Sequence, residues 1–171
     1  LSALYIGKLA EEAGFPPGVI NVLPGRGELT GQFMAEHPGI RYISFTGSPG
    51  VGQHILRTCD RHGTRMKREM GGNGAAIVLE DADPQAVARM IGRHTNQHFG
   101  QTCCTIHRVF VAQKIADDFI DAQREFFSDL KIGYQADAGT QLGAVINSTQ
   151  RSRILAAQKE AITRGGQPIL G

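Results

Sequence analysis

The sequence predicts an α/β chain, and three observations carry that expectation. Short apolar runs of strand length recur along it, among them "IRYISF" at 40–45 and "AAIVLE" at 75–80. Between them lie stretches whose apolar residues fall at helical spacing. Glycine and proline clusters such as "FPPG" and "TGSPGVG" punctuate the two kinds of segment. Strand and helix in alternation is the pattern of a parallel sheet with covering helices.

Each element has its own local reason. Ser2 is placed to cap a first helix through "ALYIGKLAEEAG", which Gly14 stops. Pro16 and Pro17 cannot continue a helix and make a turn. "VINVLPG" reads as a buried strand over residues 19–23, followed by a helix over 28–36. The strand "IRYISF" leads through "TGSPGVG" into a helix over 51–59, and "RMKREM" reads as a strand. After "GGNG" the rhythm restarts with the strand at 75–80. Asp83 followed by Pro84 is a strong helix start, a capping side chain before proline at the first helical position, and that helix is expected to run to Phe99. "RVFV" is a strand. The segment at 114–130 is an amphipathic helix with Ile115, Phe119, Ala122, Phe126 and Leu130 on one stripe. A last helix spans 148–164, with Gly165 as its stop. The Gly71-Gly72 pair is the expected domain seam, giving domains at 1–70 and 71–171.

Composition narrows the function classes. A net charge of +2 with both signs interspersed offers no footprint for nucleic acid or a membrane surface. No apolar run approaches the length of a bilayer span, and no signal peptide is visible. Three cysteines, two of them adjacent, are a poor framework for structural disulfides and favour a reducing, cytoplasmic setting. Leu1 in place of an initiator methionine and the abrupt "QPILG" end mark the chain as a fragment in this reading.

Three stretches could carry chemistry. "FTGSPGVG" at 45–52 puts glycines between a strand and a helix start, the geometry that holds a phosphate against free N–H groups, though glycine is also the ordinary turn residue. Gln53 stands where a Walker A lysine belongs, and the Rossmann G-x-G-x-x-G spacing is absent. "KREMGG" sets Glu69 at a strand end, either as a general base or as a solvated charge beside Lys67 and Arg68. "GQTCCTIHRVFV" at 100–111 puts Cys103 in a polar loop with His107 and Arg108 nearby. Such a thiol is a reachable nucleophile or a small packed hydrophobe. Cys104 is expected to point elsewhere and pack, and Cys59 to be structural and inert. His94 and His98 share a helical face with Cys103 close behind, but neither the ligand count nor the spacing matches a zinc site, so no metal is expected.

Taken in order, "GFPPGVINVLPG", "FTGSPGVG", "EMGGNGAAIVLEDAD" and "GQTCCTIHRVFV" resemble the aldehyde dehydrogenase superfamily over essentially the whole chain. The resemblance implies the end of a Rossmann-like cofactor domain joined to the start of an α/β catalytic domain. It implies Cys103 as the nucleophile that takes an aldehyde to a thiohemiacetal and then a thioester, and Glu69 as the base for the water that releases a carboxylic acid. NAD or NADP is the implied cofactor. Gly47 and Ser48 would meet its pyrophosphate and Gly27 its adenine side, with Phe45, Thr46, Val51, Gly52 and Met70 as further contacts. The implied parent is a homodimer or homotetramer. Met70 stands where the family commonly has leucine. The upstream asparagine, the ribose-reading lysine and the downstream glutamate of the family fall outside the sequence. Rival readings are an acyl-transferring relative that makes an acyl-CoA, an inactive nucleotide-binding remnant, and an unrelated cysteine hydrolase. Relatives of the acyl-transferring type commonly lack the glutamate, so Glu69 favours hydrolysis.

Overall fold

The computed structural model describes residues 2–170; Leu1 and Gly171 lie outside the described residues. The chain divides into two compact units, Leu1–Gly71 and Gly72–Gly171.

The first unit is built on one βαβ crossover. Strand β1 (Tyr42–Gly47) pairs in parallel with β2 (Arg65–Met70), and the connecting helix packs against them. In chain order the helices are α1 (Ser2–Glu12), α2 (Gln32–Glu36) and α3 (Pro49–His62). Strand β1 alternates exposed and part-buried residues, which is the period-2 signature of a sheet packed on one side. Ile43, Phe45 and Met66 face the buried trio Ala35, Ile55 and Cys59. Helix α3 is capped at its start by the Ser48 hydroxyl, which accepts from the Val51 N–H, and Pro49 stands at its first position. It ends at Gly63, whose φ of 67° closes the helix in the left-handed region.

The second unit repeats the plan. Strand β3 (Gly74–Val78) pairs in parallel with β4 (Ile106–Val111) through α4 (Pro84–Thr95), and α5 (Ala116–Ser128) packs beside α4. Asp83 caps α4 as expected, its carboxylate accepting from the Gln85 and Ala86 N–H groups. The core is Val78, Ala88, Ile91, Ile115, Phe119 and Ala122, so the expected stripe is buried at Ile115, Phe119 and Ala122, while Phe126 and Leu130 are half-buried and α5 is shorter than the expected 114–130. The last helix, α6 (Ser148–Thr163), buries no residue, and Gly165 follows it at φ 93°.

Several expectations are corrected. Residues 19–23 form no strand: the segment is coil, with Val19 and Leu23 exposed. An apolar run becomes a strand only when a partner satisfies its backbone groups, and none pairs with it among the described residues. Ser2 is the first helical residue and no cap. A π-helical turn, Gly27–Gly31, leads into α2, and α3 extends past both ends of the expected 51–59 span. Helix α4 stops at Thr95, because the chain turns through a short 3-10 segment, Gln97–Gly100, where His98 and Phe99 are left-handed at φ 47° and 59°. His98 therefore leaves the helix, and the shared face expected for His94 and His98 does not form.

Candidate active site

In the first unit, parallel pairing brings the carboxyl ends of β1 and β2 together, with Thr46 opposite Glu69 and Gly47 opposite Met70. Ligands of open α/β sheets bind outside such strand ends. Side chains alternate faces here. Phe45 turns to α3, while Thr46 and Glu69 stand on the open face. Glu69 is exposed and accepts an ion pair from Lys67 at 3.0 Å, two residues back on the same face. That carboxylate raises the Lys67 pKa through its hydrogen bond and its charge. Both groups are open to water, so the pair is weak and screened.

The glycine turn folds as a strand-to-helix elbow. Val51 donates to Ser48 Oγ at 3.4 Å and Gly52 to the Ser48 carbonyl at 2.9 Å. The Ser48 hydroxyl keeps its own proton free to donate. Gly50 belongs to the orphan donors of the first helical turn. Gly52 is buried, and a Cβ there would lie 2.9 Å from Met70 Sδ and 3.2 Å from Phe45 Cε1. A cleft of about 640 Å³ opens beside this elbow, lined by Gly27, Gly31, Phe45, Gly50, Val51 and Ile55 among others. His54 Nε2, also on its wall, meets Gln32 Oε1 at 2.7 Å. The cleft thus joins an apolar wall to a helix N-terminus, which fits a nucleotide with its base on the first and its phosphates on the second. Gly27, Phe45, Val51 and, behind the wall, Gly52 and Met70 gather here; Thr46 does not face it.

In the second unit, Cys103 lies in the connection from α4 into β4. Thr105 N–H donates to the Thr102 carbonyl at 3.1 Å, which makes Cys103 and Cys104 the two central residues of a turn. Both thiols are free and exposed. Cys104 is exposed among the described residues, not packed as expected. Cys59 is fully buried, and burial together with the Asp60 charge pushes its thiol pKa up. It is the inert thiol of the three.

The turn is braced on every side. The His94 ring meets the Cys104 carbonyl through Nε2 at 3.0 Å. Thr102 Oγ1 donates to the Gln97 carbonyl, and Gln101 Nε2 to the His98 carbonyl. Gln101 Oε1 accepts from the Ile146 N–H at 2.9 Å, and Asn96 Nδ2 donates to the Gln141 carbonyl at 3.1 Å. Arg108 donates through Nε and Nη2 to the Asn73 carbonyl and lies over the Phe110 ring. It therefore ties β4 to the start of β3. Left-handed non-glycine residues at His98 and Phe99 carry strain of roughly 1–3 kcal/mol each, of the kind concentrated at functional sites. Residues 141–146, which brace this turn, carried no signal in the sequence.

The profile described as "Aldehyde dehydrogenase family" matches residues 1–171. The chain belongs to the aldehyde dehydrogenase family. It is 36% identical over 168 residues to retinal dehydrogenase 2 of Gallus gallus, covering 98% of this chain and 32% of that protein. It is 38% identical over 166 residues to benzaldehyde dehydrogenase YfmT of Bacillus subtilis strain 168, covering 96% of this chain and 34% of the relative. The fold matches the NAD+ complex of an aldehyde dehydrogenase from Bacillus cereus with a TM-score of 0.96 at 32% identity, over 100% of this chain and 35% of that one. This aldehyde dehydrogenase chain thus spans about a third of the length of the curated relatives it matches. No helix among its described residues is long and apolar enough to cross a membrane.

Proposed function

We propose that this chain carries the nucleophile, the deacylating base and part of the nucleotide cleft of an NAD(P)-dependent aldehyde dehydrogenase that makes a carboxylic acid. The observation that carries the reading is Cys103: an exposed free thiol in the middle of a turn, held by hydrogen bonds to its neighbours, in a chain of this family. A reachable, well-positioned thiol is what covalent catalysis on a carbonyl needs.

In this reading the Cys103 thiolate adds to the aldehyde carbon to give a thiohemiacetal on sulfur. Bound NAD or NADP supplies the hydride acceptor. Oxidation leaves a thioester on Cys103, and Glu69, on the open face at the end of β2, takes the proton of the water that hydrolyses it. Gly27, Phe45, Gly47, Ser48, Val51, Gly52 and Met70 form the nucleotide site, and Thr46 stands beside Glu69 on the other face. Residues 1–70 then belong to the cofactor domain and 71–171 to the catalytic domain. The substrate is a small-molecule aldehyde, and the parent is a homodimer or homotetramer in a reducing, cytoplasmic setting that keeps two exposed thiols free.

The test is aldehyde-dependent formation of reduced nicotinamide by the intact protein and its Cys103→Ala variant. Loss of turnover with nucleotide binding retained supports the reading; turnover at the parent rate removes Cys103 from it. Faster discharge of the trapped thioester by coenzyme A than by water would reassign the second half-reaction to acyl transfer.

A further inference from the structure

A groove of about 560 Å³ runs along α4 in the second unit, lined by Ala86, Arg89, Met90, Arg93, His94 and Gln97. Residues at this spacing share one stripe of a helix. The last two of them grip the cysteine turn on either side of Cys103. The His94 ring meets the Cys104 carbonyl at 3.0 Å, and the Gln97 carbonyl accepts from Thr102 Oγ1 at 3.3 Å. The groove therefore ends at the turn that carries the thiol.

Two guanidinium groups border this groove without a partner. Arg89 and Arg93 are exposed, and neither makes an ion pair or a side-chain hydrogen bond among the described residues. Glu125 and Asp129 border a second cleft with the same two arginines and still do not pair with them. Like charges four residues apart on a helix repel, so the pair costs the helix something. Arg93 lies in the last turn, where a cation suits the negative end of α4, but Arg89 stands a turn earlier and gains little there. Between them Met90 is 63% exposed and, with Ala86, gives the groove an apolar floor.

We propose that this groove takes the carboxylate of the substrate, so that the aldehyde oxidised is one whose far end carries a carboxylate, a semialdehyde of a dicarboxylic acid. A guanidinium grips a carboxylate through two parallel N–H donors. The methylene chain lies over Met90 and Ala86, and the aldehyde points past His94 to Cys103. Arg93 is the nearer grip, and Arg89 stands about 5.4 Å further along the helix, one turn back. The two arginines thus suit a short and a longer chain. The substrate class rests on the reading of Cys103 as the nucleophile; capture of a carboxylate by the groove does not.

The experiment has two readouts on the intact protein. The first compares kcat/KM for the semialdehydes of succinate, glutarate and adipate with butanal, pentanal and hexanal, chain for chain. At least one semialdehyde is expected to be preferred over its plain partner by about tenfold or more, and Arg93→Gln or Arg89→Gln to lower its kcat/KM by about ten- to hundredfold. The plain aldehydes should lose far less, Arg→Lys at the same position should restore part of the preference, and added salt should weaken it. The second readout needs no turnover: succinate, glutarate or adipate should slow alkylation of Cys103 by iodoacetamide, and the Gln variant should lose that protection. Equal kcat/KM for every matched pair, or equal losses for both series in both Gln variants, would overturn the proposal, as would the absence of protection by any of the three dicarboxylates. Protection in a protein that oxidises no aldehyde would retain the carboxylate groove and reject the enzymatic reading.

Discussion

Gly74, at the start of β3, lies so close to Thr105 that a Cβ on the glycine would stand 2.8 Å from the Thr105 carbonyl oxygen. Thr105 closes the cysteine turn, and its oxygen is backbone, which cannot rotate aside. Gly74→Ala is therefore expected to push the turn outward and to cost about 1–3 kcal/mol of stability, as overpacking does. The denaturant midpoint of the intact protein checks the cost, and the alkylation rate of Cys103 checks the displacement. Unchanged values for both would mean that this contact does not position the turn.

Phe119 is 5% exposed, in the core shared by α4, α5 and β4. Phe119→Ala should cost about 3–5 kcal/mol, whereas Phe119→Leu should cost much less because most of the volume stays filled. Midpoint shifts at an unchanged denaturant slope would confirm that both act on stability.

Cys59 gives a pH dependence of known sign. Burial holds its proton in the folded state to higher pH than in the unfolded chain. The unfolded state thus releases the proton first as pH rises, and stability falls from the ordinary thiol range upward through the raised value. Below that range the contribution is complete. Cys59→Ala should flatten this part of the profile of denaturant midpoint against pH, whatever it costs in packing. A slope equal to that of the parent would reject the assignment.

Glu69→Gln should leave acylation of Cys103 intact and slow release of the acid. Rapid mixing with aldehyde and NAD or NADP should then show a burst of reduced nicotinamide before a slow steady state. The variant also frees Lys67 from its 3.0 Å ion pair, so Lys67→Met is the control that separates loss of the base from loss of the pair. An unchanged steady state in Glu69→Gln removes it as an essential base.

What was legible in the sequence was what local chemistry decides. Asp83 before Pro84 caps α4 by a purely local contact, and Phe119 and Ala122 bury because the helical spacing gathers the apolar residues on one face. What was illegible depends on partners. Residues 19–23 have a strand's composition and no strand beside them among the described residues. The left-handed turn at His98 and Phe99 contains no glycine until Gly100, so nothing local announces it. Cys103 was readable as an exposed thiol in a turn. Its bracing was not, because Gln101 and Asn96 reach forty-five residues along the chain to Ile146 and Gln141. Glu69 and Cys103 are proposed on their place in family-like motifs, and spacing alone leaves each open to a duller explanation.

The central claim is that the Cys103 sulfur carries the acyl group. The most direct measurement is acid quenching of the intact Glu69→Gln protein during turnover with an aldehyde and NAD or NADP, followed by peptide mass mapping. The account predicts an acyl mass on the peptide that holds Cys103 and Cys104, placed on Cys103 by fragmentation and absent without nicotinamide cofactor. Reduced nicotinamide formed in step with aldehyde consumption, with that peptide unmodified, would contradict it.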